Sequence, residues 1–64
     1  MDQFATADNT SAAARRREAR IAKGYSLEDL AIATGLTVEE IAAAEEPLQI
    51  VPQHHLERIE HVIS

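Results

Sequence analysis

Residues 26–46 read SLEDLAIATGLTVEEIAAAEE, and this stretch decides the fold. It contains two patterns with a hydroxyl residue followed three positions later by an acid, SLED and TVEE. Each pattern is typical of a capping box, in which both side chains bond the exposed amides of a helix N-terminus. Gly35 lies between the two patterns and suits the left-handed turn that ends a helix. The stretch therefore predicts two short helices, 27–34 and 38–46, joined by a tight turn.

A further helix is predicted on each side of this pair. Residues 12–23 consist mainly of alanine and arginine, which are good helix formers, with Ser11 as N-cap and Gly24 as the C-terminal glycine. Pro52 fits the first position of a last helix over 52–63. The apolar stripe of that last helix consists of Leu56, Ile59, Val62 and Ile63.

The first ten residues, MDQFATADNT, carry no repeating apolar stripe, so we expect a flexible tail over 1–10. A chain of 64 residues has room for one domain, which we place at 11–64. The expected fold is all-α, a compact arrangement of four helices. The chain has no cysteine, no apolar run of membrane-spanning length and no signal sequence, so we expect a soluble cytoplasmic protein.

The charges are unevenly distributed along the chain. The net charge is -5, from eleven acids and six bases. Five of the bases lie within 15–23, whereas residues 26–46 hold six acids and no base. Phosphate neutralisation supplies much of the affinity of DNA-binding proteins, which are therefore usually basic. The charge distribution argues against DNA as the partner of residues 26–46.

Two capped helices around a glycine turn form the helix-turn-helix arrangement. The stretch from Arg17 to Ile63 resembles the Cro/C1-type, or Xre-like, domains of phage repressors and bacterial regulators. The residues that carry this resemblance are Arg17, Arg20, Gly24, Ser26, Leu30, Ala31, Gly35, Leu36, Ile41 and Glu45. The resemblance implies an ion pair between Arg20 on the first helix and Glu45 at the end of the third, the alternative being two solvated charges. It also implies a core that contains Leu30, Ala31, Leu36 and Ile41.

The chain departs from the family in its core. Arg16 stands where the family usually has a large aliphatic side chain, and Thr34 and Ala44 replace expected aliphatic residues. The predicted core is thin, and the candidates to help fill it are Phe4, Ile50 and Val51.

The resemblance also identifies the positions that would face DNA. These are Val38, Glu39 and Ala43, with Leu27 at the start of the second helix, and none of them can donate a hydrogen bond to a base edge. Aliphatic residues at normally polar positions suggest instead a protein-binding surface. Its predicted residues are Leu27, Ile32, Val38, Glu39 and Ala43. The alternative is that Ile32 and Val38 only support the thin core.

These features predict a small regulator of transcription that binds a protein partner, in the manner of antiactivators that sequester a transcription activator. The alternatives are a DNA-binding Xre-family repressor, an antitoxin-like binding protein, and a helix-turn-helix module from a longer protein. We expect a monomer or a weak dimer.

Other clusters of charged or titratable residues give weaker indications of a functional site. Arg16, Arg20 and Lys23 share one side of the first helix and form a possible basic patch. His54 and His61 are seven residues apart on one helix face, which is too far for an ordinary ligand pair, so we expect no metal site. No nucleophile elbow or phosphate loop occurs, and we expect neither a cofactor nor enzyme activity.

Overall fold

Four α-helices make up the computed structural model, which describes the backbone of residues 3–64 and the side chains of residues 12–64. They are α1 (Gln3–Ala22), α2 (Leu27–Thr34), α3 (Val38–Ala44) and α4 (Gln53–Ile63). α2 packs against α3, and α4 packs against the other three helices. Over residues 3–64, the prediction of an all-α fold with four helices is confirmed. None of the four described helices has the length and apolar composition needed to span a bilayer.

The two predicted capping boxes hold the N-termini of α2 and α3. Ser26 Oγ accepts a hydrogen bond from the Asp29 amide at 3.0 Å, and the Asp29 carboxylate accepts one from the Ser26 amide at 2.9 Å. Thr37 and Glu40 repeat this pattern at 3.1 and 2.9 Å. Gly35 follows α2 in the left-handed conformation, with a φ of 78°. These local bonds explain why α2 occupies the predicted residues and why α3 begins where predicted.

The capping bonds lower the pKa of two carboxyl groups. The backbone amide of Ser26 lowers the pKa of Asp29, and that of Thr37 lowers the pKa of Glu40 below the ordinary 4.5 of glutamate. A carboxyl group with a lowered pKa stabilises the fold above its unfolded pKa, and this contribution is lost as the pH falls through the folded value.

We therefore expect the melting temperature to fall on acidification below pH 4.5, and to fall less steeply in Glu40→Gln. The glutamine keeps an acceptor for the Thr37 amide but does not titrate. Melting curves recorded by circular dichroism between about pH 6 and about pH 3 check this. Equal slopes for the two proteins would contradict it.

α1 is longer than predicted. It begins at Gln3 instead of residue 12, so Ser11 lies inside the helix and is not its N-cap. Residues 3–22 contain neither glycine nor proline, and a helix once formed extends through such a stretch at little cost. The predicted tail over 1–10 is therefore helical from Gln3 onward, while the expected docking of Phe4 lies outside the described side chains.

The ends of the last two helices also differ from prediction. α3 ends at Ala44 instead of residue 46, with Glu45 as its C-cap at φ -98° and ψ 5°. The residue before a proline disfavours the helical conformation, so Pro47 ends the helix earlier than expected. Pro52 is the N-cap of α4 and not its first residue, since its ψ of 140° is extended.

The core lies where α2, α3 and α4 meet. Leu30, Ile41 and Ile59 are almost completely buried, at 0, 0 and 1 % exposure. The other buried members of this cluster are Ala31, Leu36, Ala44 and Ile63. The four core residues implied by the family resemblance, Leu30, Ala31, Leu36 and Ile41, are all buried, so this prediction is confirmed.

Two expectations about the thin core have different outcomes. Val51 packs against the core, as expected, whereas Ile50 is 97 % exposed and does not. Thr34 is buried at an expected aliphatic position, but its hydroxyl donates to the Leu30 carbonyl at 2.7 Å and accepts from the Leu36 amide at 3.2 Å. The hydroxyl is therefore satisfied and carries no penalty for an unpaired polar group.

Candidate functional site

Two arginines of α1 reach the C-terminal end of α3. Arg20 donates through Nε and Nη2 to both carboxylate oxygens of Glu45, at 2.7 and 3.0 Å, and through Nη1 to the Tyr25 carbonyl at 3.0 Å. Arg16 donates through Nη1 to the Ala44 carbonyl at 3.0 Å. We call Arg16, Arg20 and Glu45 the arginine clamp. The clamp joins the first and third helices through charge-assisted hydrogen bonds, in which the donor is a guanidinium group.

The clamp offsets unfavourable negative charge at the C-terminal end of α3. The C-terminus of a helix carries a partial negative charge, so Glu45 and Glu46 are unfavourable there unless cations approach. Arg20 and Glu45 have side-chain exposures of only 12 and 9 %, and hydrogen bonding to Glu45 raises the pKa of Arg20. The ion pair implied by the resemblance is thus present, and the Arg16 guanidinium binds a helix end at a position where an aliphatic residue was expected.

The same contacts remove most of the predicted basic patch. The guanidinium of Arg20 is held in the clamp, and Arg16 is half-buried, with its Nε 3.5 Å from the Glu60 carboxylate. Lys23 remains exposed beyond the end of α1. The three residues therefore do not form one solvent-facing patch, because two of them turn toward other helices.

The predicted partner-binding residues differ in exposure. Leu27 and Val38 are half-buried and pack against the core, and Ala43 is also half-buried. Ile32 is 82 % exposed on α2, and Glu39 is exposed on α3. The alternative that core support explains the aliphatic residues thus fits Val38 but does not fit Ile32. Ile32 is the one large apolar side chain of α2 and α3 that faces solvent.

We call one group of side chains on these two helices the α2–α3 surface; it consists of the exposed Glu28, Ile32, Glu39 and Ala42 and the half-buried Ala43. The six acids of residues 26–46 differ in whether their carboxylates have a hydrogen-bond partner within the chain. Three of them have structural partners, since Asp29 and Glu40 form the capping boxes and Glu45 belongs to the clamp. The other three bond no other described side chain; they are Glu28, Glu39 and Glu46.

The α2–α3 surface lacks hydrogen-bond donors. Residues 26–46 contain no lysine, arginine, asparagine or glutamine. Their side-chain donors are three hydroxyl groups. Those of Ser26 and Thr37 accept the capping bonds and each keeps its O–H free to donate, whereas that of Thr34 is buried. Chemically, the surface can accept hydrogen bonds, attract cations and bury an aliphatic side chain, but its side-chain donors toward a base edge or a phosphate are limited to two neutral hydroxyls, with no amide or cationic group.

The structure shows one exposed apolar feature that the sequence analysis missed. Leu48 and Ile50, in the connector between α3 and α4, are 93 and 97 % exposed. The sequence showed an apolar segment between Pro47 and Pro52, which is compatible with either a buried or an exposed course. Its lack of helical spacing was the available signal that the side chains would not form one buried stripe.

The histidines of α4 lie on two different sides of the helix. His54 and His61 line a shallow groove with Arg58, whose Nη1 lies 3.4 Å from the Thr34 carbonyl. His55 faces another way, with its Nε2 3.8 Å from the Glu40 carboxylate. Within the described residues, no three side chains of ligand type stand close enough to hold a metal ion.

Comparisons with known protein families, with curated proteins and with solved structures found no match to this chain. The chemistry of the α2–α3 surface is therefore the basis for a functional assignment. That surface combines an exposed aliphatic side chain, carboxylates without structural partners and no cationic or amide donor.

Proposed function

We propose that this chain is a small regulator of transcription with a Cro/C1-like helix-turn-helix fold, whose α2–α3 surface binds a protein partner. α2 and α3 would be the helix-turn-helix pair, with α3 in the place of the recognition helix. The observation that carries the proposal is that this surface exposes Ile32 among carboxylates and has no cationic or amide donor for DNA.

Electrostatics disfavour DNA as the ligand of this surface. A duplex carries one negative charge per about 1.7 Å of its length, and contacts to its phosphates underlie both nonspecific and specific affinity. Glu28, Glu39 and Glu46 have no intramolecular cation to offset them among the described side chains. Bringing α3 into the major groove would place these carboxylates against phosphates, so the backbone contribution to binding would be unfavourable.

The same charges favour a basic protein partner. Ile32 lies one helical turn after Glu28 and would fill an apolar pocket, while Glu28 and Glu39 would pair with lysine or arginine at its rim. Surfaces that bind DNA are basic, so the DNA-binding surface of a transcription activator has the required chemistry. Covering that surface would sequester the activator, which is the action of an antiactivator.

We expect Ile32→Lys to weaken partner binding by about 30-fold or more, as substitutions at the centre of an interface do. Because Ile32 is 82 % exposed, the substitution should leave the melting temperature nearly unchanged. The partner is first captured from the native cell with the tagged full chain, and affinity is then measured by isothermal titration calorimetry. Ile21→Lys, at a half-exposed isoleucine of α1, is the matched control and should bind like the wild type.

A second measurement separates a protein ligand from DNA. Random and genomic duplexes are titrated into the labelled chain at low salt, and backbone amide shifts are recorded. We expect no saturable change over residues 37–43. Tight, salt-sensitive binding centred on those residues would replace the proposal with a DNA-binding repressor.

A further inference from the structure

We infer that the groove between α2 and α4 binds a phosphate-type anion, and that protonation of its histidines turns this binding on. The groove is shallow and encloses about 480 Å³. α4 lines it with His54, Glu57, Arg58 and His61, and α2 lines it with Thr34. The groove shares no residue with the α2–α3 surface, so the inference does not depend on the function proposed for that surface.

One face of α4 gathers side chains that can carry a positive charge. Arg58 is the only lysine or arginine outside residues 15–23, and all three histidines of the chain belong to α4. His54, Arg58 and His61 follow one another at intervals of four and three residues, which places them on the same side of a helix. All three side chains are exposed. A ligand in the groove would therefore meet one guanidinium with an imidazole about one helical turn away on each side.

Arg58 is the group that would bond the ligand directly. Its Nη1 donates to the Thr34 carbonyl at 3.4 Å, which holds the guanidinium beside the end of α2. Its other N–H groups bond no other described residue. A guanidinium presents its donors in a planar fork that matches two oxygens of a phosphate group. The geometry thus favours a phosphate-type anion over a ligand that carries a single acceptor.

Charge makes the binding depend on pH. Glu57 lines the groove, and the C-terminal end of α2 adds a partial negative charge, so these groups offset Arg58 while the imidazoles are neutral. Histidine side chains take up protons near about pH 6.5, and two protonated rings make the groove positive. His55 packs edge-on against His54, with ring centres 4.5 Å apart, but its Nε2 faces the Glu40 carboxylate of α3 at 3.8 Å. An anion should therefore bind below about pH 6.5 and dissociate above it.

A titration with sulfate tests the inference. Sulfate keeps two negative charges at every pH used, whereas a phosphate group itself titrates near about pH 6. Sulfate is added to the isotopically labelled full chain at constant ionic strength, at about pH 5.5 and about pH 7.5, and the imidazole and guanidinium resonances are recorded. We expect saturable shifts in the groove residues at the lower pH, with a Kd of about 1–10 mM. Binding should be about tenfold weaker or more at the higher pH.

Three variants assign the binding to the groove. Arg58→Gln should weaken sulfate binding by about tenfold or more, because it removes the guanidinium fork. Glu57→Gln should tighten binding by about threefold, because it removes the acid from the lining, and a gain in affinity requires a folded protein. Arg17→Gln makes the same change at an exposed arginine of α1 and should bind like the wild type.

Several outcomes would overturn the inference. They are equal affinity at the two pH values, equal losses from Arg58→Gln and Arg17→Gln, and a Glu57→Gln variant that binds no more tightly than the wild type. Acetate at the lower pH is the test of ligand class, and acetate that binds as tightly as sulfate would exclude a preference for phosphate-type anions. None of these outcomes bears on the proposed partner surface, which is tested through Ile32 and a different ligand.

Discussion

Glu45→Ala should remove about 3 kcal/mol from the free energy of unfolding, because it leaves a nearly buried guanidinium without its carboxylate. Arg20 has a side-chain exposure of 12 % and would retain only its hydrogen bond to the Tyr25 carbonyl. Small domains are marginally stable, with unfolding free energies of about 5 kcal/mol at the lower end of the range. The variant should therefore be partly unfolded at physiological temperature. Urea unfolding followed by circular dichroism measures the loss.

Two companion variants separate the clamp from general charge effects. Glu46→Ala removes a neighbouring acid without a described partner and should change stability by no more than about 0.5 kcal/mol. The double change Arg20→Met/Glu45→Leu removes both charges and should recover part of the loss, because no charge is left stranded. A Glu45→Ala protein as stable as the wild type would show that the pair contributes nothing.

Ile41→Ala should cost about 2–5 kcal/mol, the range found when a buried isoleucine loses most of its side chain and leaves a cavity. Ile41 is completely buried where α3 meets the other helices of the core. The other large members of that core are few, so little can move in to fill the space. For a domain of this size the expected fall in melting temperature is about 10 °C or more.

The matched control is Ile32→Ala, which makes the same chemical change on a helix at an 82 % exposed position. It removes no core contact, and alanine is the better helix former, so stability should stay the same or rise slightly. Thermal melts of the three proteins under one set of conditions give the comparison. Equal falls in melting temperature for Ile41→Ala and Ile32→Ala would mean that the burial of Ile41 does not stabilise the core.

Sequence reasoning succeeded where structure is determined over a few residues. α2 occupies the predicted residues because its capping box and Gly35 act within three or four positions of each other. It failed at the start of α1, where Ser11 looks like an N-cap but lies inside a stretch without any helix breaker. A cap residue can end a helix only if the preceding residues prefer another conformation, and residues 3–10 contain no glycine or proline to provide one.

The candidate surface was predictable in charge but not in exposure. The absence of cationic and amide donors over 26–46 is a property of the sequence alone. The half-burial of Leu27 and Val38, and the full exposure of Leu48 and Ile50, depend on how helices and connector meet in space. The role of Arg16 at the end of α3 was hidden for the same reason, since its acceptor lies 28 residues away.

The long reach of the clamp bears on the order in which the chain folds. The capping boxes join residues three apart, whereas Arg20 and Glu45 are separated by 25. Local contacts form before those that must close a large loop, because loop closure costs entropy before it gains any contact. α2 and α3 should therefore pair early, and α1 should attach to them late. Interactions that form after the folding transition state act mainly on the rate of unfolding. The clamp should therefore slow the unfolding of the native domain and have little effect on the rate of folding.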